Sequence, residues 1–154
     1  MITIVTIANH ILIGSSIAVT VNEPILALPL AFVSHFVLDS LPHFGYARGG
    51  YEVLLKKKMT YFVLLLDILG ISIVIFTFHF SEILILACAV LAISPDAEWP
   101  YRYFLFERKG EKPPSTFLTD FHRRIQWCER PWGLYVEILI FIGVLASIHH
   151  YILH

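Results

Sequence analysis

The chain has 154 residues, of which 57% are hydrophobic and only 15% charged, with a mean hydropathy of +0.73. Such a composition excludes an ordinary soluble domain, which balances an apolar core against a charged surface, and points to a single-domain integral membrane protein, residues 1–154. The formal net charge of −1 selects no polyanionic partner, so no nucleic acid is expected; in a membrane protein the placement of charge matters more than its sum.

In chain order, "MITIVTIANH" has no basic n-region, so no cleavable signal is expected. Thr3 to Val21 is the first run near the length of about 20 apolar residues that a bilayer-spanning helix needs. Asn22-Glu23-Pro24 then reads as a tight turn, because proline suits a helix start and disfavours helical backbone before it. Ile25 to Leu41 is the second span, and the polar connection Pro42 to Lys58 leads to the third, Met59 to Phe78. A short turn around His79 to Glu82 precedes the fourth, Phe80 to Ser94; a long connection, Pro95 to Gly133, precedes the fifth, Leu134 to Leu153. The predicted fold class is therefore an all-α integral membrane protein with about five transmembrane helices. The two cysteines, Cys88 and Cys128, form neither a disulfide framework nor a CxxC pair.

The long second connection has its own organisation. "ERKGEKPPS" reads as a hinge, with Ser115 or Thr116 as the N-cap of a helix starting near Phe117. Phe117, Phe121, Ile125 and Cys128 recur at helical spacing, and Trp127 and Trp132 suit the membrane interface. An interfacial amphipathic helix and a small helix packed on the ends of the spans are both open readings.

All 11 Lys and Arg residues fall in the two long connections, from Arg48 and Lys56–Lys58 to Arg102, Arg123, Arg124 and Arg130. Five spans put both connections on one face, which the positive-inside rule makes cytoplasmic, with the N-terminus inside, in a bacterial or archaeal cytoplasmic membrane. On this map His10, His35, Asp39, His43, Asp67, Asp96, Glu98, His122 and Glu137 all gather towards that face. The opposite face holds mainly Glu23, His79, Glu82 and the terminal His149, His150 and His154. An unpaired ionisable group inside a span costs several kcal/mol, so each is a functional candidate.

Imidazole and carboxylate together suit a divalent metal, zinc first, with iron or manganese also fitting. His35 and Asp39, at i and i+4, share one helix face and can aim at the same ion. The tight turn makes the first two spans neighbours, which brings His10 into reach. Pro42 ends the second helix near Leu41 and leaves His43 free to turn either way; Asp96 and His122 complete the candidate ligands.

"TIANHILIGSSIA", "LAFVSHFVLDSLPHFG" and "ISPDAEW" together resemble the membrane-bound, metal-dependent hydrolases that include the LexA-binding, inner-membrane-associated hydrolases. His10, His35, Asp39 and Asp96 match that family's early membrane histidine, its His-x-x-x-Asp helix and its Pro-Asp segment. Glu98 replaces the family's second Asp, Trp99 stands where its following His would be, and its Arg-Gly-x-Thr-His-Ser segment is missing unless His122 supplies the lost imidazole. The resemblance implies metal-dependent hydrolysis of a membrane-associated substrate.

Plain structural uses compete at each position. Ser94-Pro95-Asp96 is also a good helix start, and His10 or the His35–Asp39 pair can hydrogen-bond without metal. Asp67 and Glu137 read as buried partners of loop cations. The expected function is a metal-dependent hydrolase acting on a lipid or lipid-linked substrate at the cytoplasmic face. Glu98 or Asp96 would serve as general base, and Arg102, Arg123 and Arg124 would hold an anionic head group. A non-catalytic membrane adaptor, or a metal- or lipid-binding protein, is the alternative. No Gly-x-Ser-x-Gly element suggests a serine nucleophile.

Overall fold

A computed structural model describes residues 6–45, 56–79 and 82–153. The expectations placed on Thr3, Arg48, Phe80 and His154 lie outside the described residues. Within them the chain is helical and forms no strand: α1 (Ile7–Val21), α2 (Pro24–Ser40), α3 (Lys58–Phe78), α4 (Ile83–Ile93), α5 (Glu98–Leu105), α6 (Phe117–Ile125) and α7 (Gly133–Leu153). Two 3₁₀ turns, Ser94–Ala97 and Glu107–Lys109, flank α5.

Three stretches are long and apolar enough to cross a membrane: Lys58–Phe78, Ile83–Lys109 and Gly133–Tyr151. α1 and α2 are apolar but shorter, at 15 and 17 residues. At about 1.5 Å per residue, α1 reaches about 22 Å against a hydrocarbon core of about 30 Å. The expected fourth span ended at Ser94, but helical backbone continues past it to Lys109. Pro95 lies in the first turn of the 3₁₀ segment, where its missing N–H leaves no bond broken, so it turns the run without ending it. Asp96 and Glu98 therefore sit within a bent helical stretch rather than in a loop.

α1 is the axis of the bundle and packs against α2, α3, α4 and α7. Its small residues permit this: a Cβ on Gly14 would lie 2.6 Å from the Cys88 carbonyl oxygen and 2.8 Å from the Ala92 Cβ, so α1 and α4 approach nearly to backbone contact. One apolar cluster, including Leu12, Ala27, Val74, Phe78 and Cys88, fills the bundle, and a smaller one joins Phe44, Val63 and Leu134. The outside is as apolar as the inside. Phe62, Ile68 and Phe76 on α3 and Tyr135, Leu139 and Ile142 on α7 are exposed, whereas His10, His35, Asp39, Asp67, His122 and Glu137 are buried. Polar groups inside and large apolar side chains outside mark a membrane protein, whose surroundings are lipid.

The first turn of α1 ends among these apolar surfaces, and its free N–H groups need acceptors. Asp67 on α3 accepts from the Ala8 amide at 2.8 Å. Glu137 on α7 accepts from the Thr6 amide at 3.1 Å and the Thr6 hydroxyl at 3.2 Å, and its other oxygen takes the Phe44 amide at 3.3 Å. Asn9 binds the Thr6 hydroxyl and the Glu137 carbonyl. The partners of Asp67 and Glu137 are thus backbone amides and the Thr6 hydroxyl, not the loop cations expected from sequence. They cap α1 from outside and fix the helix that carries His10.

Candidate metal centre

Three segments deliver four side chains to one buried point. His35 and Asp39 come from the last turns of α2, Asp96 from the 3₁₀ turn after α4, and His122 from α6; one ligand atom from each lies within 4.8 Å of the others. His122 Nε2 is 2.5 Å from Asp39 Oδ2, His35 Nε2 is 3.4 Å from the same oxygen, and the two imidazole nitrogens are 3.2 Å apart. Asp96 Oδ1 stands 3.7 Å from His35 Nε2 and 4.0 Å from His122 Nε2. His10 on α1 approaches from the other side, its Nε2 3.3 Å from Asp39 Oδ1 and its ring stacked on His35 at 4.3 Å.

One contact orients His35. Its Nδ1 is 2.8 Å from the Ala92 carbonyl oxygen, which can only accept, so Nδ1 carries a proton and Nε2 is the nitrogen turned inward. A histidine whose outer nitrogen donates to a carbonyl while its inner nitrogen faces carboxylates has the usual arrangement of a metal ligand. Gln126 donates to Asp39 Oδ2 at 3.0 Å and holds the carboxylate from α6.

Several polar atoms at this point are buried without a hydrogen-bond partner among the described residues: Asp39 Oδ1, both nitrogens of His10 and His122 Nδ1. Asp39 is fully buried, so its carboxylate needs positive charge beside it, from an imidazolium or a metal ion, to offset its desolvation. His35, Asp39, Asp96 and His122 offer two nitrogens and two oxygens, a donor set suited to a divalent ion of the zinc, iron or manganese kind. The cluster can bind a metal ion; the donor set alone does not select which. Asp96, with 23% of its side chain exposed, is the member of the group that meets the outside.

The remaining candidates fall in different places. His43 is not brought into the four-residue group: Leu41 is extended at φ −81° and ψ 161°, and Pro42 follows it. His43 is instead tied to the segment before α7: its Nδ1 donates to the Leu41 carbonyl at 2.7 Å, its carbonyl accepts from the Arg130 amide at 3.0 Å, and it forms an isolated bridge with Glu129. Burial pushes its imidazole below the usual histidine range. Glu98 accepts from Arg102 Nη1 at 3.1 Å and from the Thr119 hydroxyl. Arg102 also donates to the Pro114 carbonyl, tying the link before α6 to α5. Arg123 pairs with Asp120 at 2.9 Å on the exposed side of α6, and Arg124 is likewise exposed.

Three contributors were not picked out from the sequence: the Ala92 carbonyl, Thr119 and Gln126. The last two had a signal, since Thr119, His122 and Gln126 follow one another at i, i+3 and i+7, on the side of the helix opposite Phe117 and Phe121. Comparison with family models, with curated proteins and with solved structures finds no significant match to this chain.

Proposed function

We propose that the protein is a membrane-embedded, metal-dependent hydrolase acting on a lipid or lipid-linked ester, phosphodiester or amide. The observation that carries the reading is the convergence of buried imidazoles and carboxylates from separate segments, with several of their polar atoms left without a hydrogen-bond partner among the described residues. In this reading the five longest helical stretches, beginning at Ile7, Pro24, Lys58, Ile83 and Gly133, cross a bacterial or archaeal cytoplasmic membrane. The basic connections then face the cytoplasm, and α6 lies in the interface. The resemblance to the LexA-binding, inner-membrane-associated hydrolases points the same way; in that light His122 supplies the imidazole of the missing Arg-Gly-x-Thr-His-Ser segment.

His35, Asp39, Asp96 and His122 would hold the ion, with His10 against the second oxygen of Asp39. A divalent ion bound there supplies the positive charge that acidifies water and polarises a substrate oxygen. The chain's own residues do the rest. Ala92 and Gln126 orient His35 and Asp39, so the donors are set before any ligand arrives. Substrate approaches past the partly exposed Asp96. A cleft of about 370 Å³ lined by Phe32, Pro95, Glu98, Tyr101, Arg102 and Leu118, next in the chain to Asp96 but not lined by it, offers both apolar wall and polar groups. Glu98, held by Arg102 and Thr119, would take the proton as the bond to water forms.

The same engagement of Glu98 favours a second reading, a metal-binding membrane protein without turnover, because its carboxylate already has two partners. Hydrolysis of a phospholipid panel by the full chain in vesicles separates the two. Turnover that stops on chelation, returns with metal and is lost in Glu98→Gln supports the hydrolase. A Glu98→Gln protein with unchanged turnover removes Glu98 as base, and absence of any turnover by the metal-loaded protein across the panel favours the binding protein.

A further inference from the structure

α6 is amphipathic the wrong way round for a helix docked on a water-soluble protein. Its buried face is polar: Thr119, His122 and Gln126 are 1%, 0% and 1% exposed, and they bind Glu98 and Asp39. Its outward side carries Phe117, 87% exposed, and Phe121, 40% exposed, beside the exposed charges of Asp120, Arg123 and Arg124, and Trp127 just beyond its end is 69% exposed. Large aromatic side chains left outward while the inner face is polar call for a non-aqueous cover, and the charges among them suit its polar boundary.

The covering phase is identified by the surroundings. The same apolar exterior continues through Trp132 and Tyr135 onto the outer face of α7, a stretch long and apolar enough to lie in a bilayer. Tryptophan and tyrosine at this level suit the headgroup region, and Arg123, Arg124 and Arg130 beside them suit anionic lipid. The helix is independently closed at its start, where Thr116 and Thr119 form a reciprocal capping box, and it is linked to α5 by the turn at Gly110, φ +76°. Its polar inner face holds it to the bundle through Glu98 and Asp39, and ring contacts of Phe121 with Phe36 and of His122 with Phe36 and Trp99 add to this.

We propose that α6 is a lid seated in the lipid headgroup region, and that its contact with the bilayer keeps His122 and Gln126 in the metal centre. The lipid surface thus acts as the partner that completes the site. The coupling to metal rests on the reading of the site given above, whereas the seat in lipid stands on the helix alone.

The test uses the full chain in vesicles of phosphatidylcholine and phosphatidylglycerol, some with brominated acyl chains. In a Trp132→Phe protein, Trp127 is the exposed indole, since Trp99 is buried. The lid predicts that brominated lipid quenches Trp127 and that Phe117→Glu reduces the quenching while Phe117→Leu preserves it. Cobalt(II) affinity in the same vesicles should weaken about tenfold in Phe117→Glu, towards the value for His122→Ala. Trp127 emission untouched by brominated lipid would overturn the lipid seat, whether water or a second copy of the chain covers the face. Unchanged cobalt affinity in a Phe117→Glu protein that has lost its quenching would overturn the coupling. Failure of the unaltered protein to bind cobalt would count against the metal centre, and the quenching would still decide where α6 lies.

Discussion

Asp67 lies ten residues into α3, buried to 5% exposure, and accepts the Ala8 amide at 2.8 Å. Asp67→Leu removes that acceptor and strands a backbone N–H in an apolar setting. A hydrogen bond to a charged group contributes about 1.5–3 kcal/mol, and a buried amide left unmatched costs about 1–3 kcal/mol. Polar contacts in membrane proteins measure lower, about 0.6 kcal/mol on average and up to about 1.7, because the unfolded state in lipid also finds partners. Near the upper end of that range, Asp67→Leu should cost about 2 kcal/mol. Asp67→Asn should cost about 1 kcal/mol, because its amide oxygen still accepts but carries no charge towards the helix dipole. Unfolding of the detergent-solubilised protein by sodium dodecyl sulfate, followed by circular dichroism, reads both. The opposing expectation is that leucine relieves a buried charge and leaves stability equal or higher, by about 1–4 kcal/mol in favourable cases. A midpoint for Asp67→Leu at or above that of the unaltered protein would refute the capping role.

Gly14→Ala should destabilise by about 1–3 kcal/mol in the same titration, because its Cβ would meet the Cys88 carbonyl oxygen at 2.6 Å; an unchanged midpoint would mean that α1 and α4 are farther apart than described. His43→Gln should retain bound metal, whereas His122→Ala should lose it or bind it at least about tenfold more weakly, as competition with a chelator would measure. Equal losses in the two variants would put His43 in the ligand set and contradict its placement against Leu41 and Arg130.

Local periodicity made part of the site legible and topology hid the rest. His35 and Asp39 are four residues apart, so the helix itself brings them together, and the structure leaves them adjacent at 3.4 Å. His10 was reachable because a short turn joins α1 to α2. His122 was open to suggestion only as a stray imidazole in a loop, because nothing local says that α6 folds back 83 residues later to meet Asp39. The proline after α2 marked the helix end correctly, yet a helix end does not fix the direction of the next residues, and His43 was carried to Glu129. Composition identified the apolar helices but not all their extents, since the 3₁₀ turn at Pro95 carries the fourth apolar run on into a helix where the sequence was read as a connection. Asp67 and Glu137 stood out as misplaced charges. Their partners are chiefly backbone amides, which no side-chain inventory contains.

Whether this buried group holds a divalent metal is read from the metal content of the folded, detergent-purified protein prepared without chelator. About one tightly held equivalent is expected, lost in His35→Ala and Asp39→Ala variants whose circular dichroism shows them still helical. Folded protein that carries no metal and takes none up on addition of zinc, iron or manganese would contradict the metal centre.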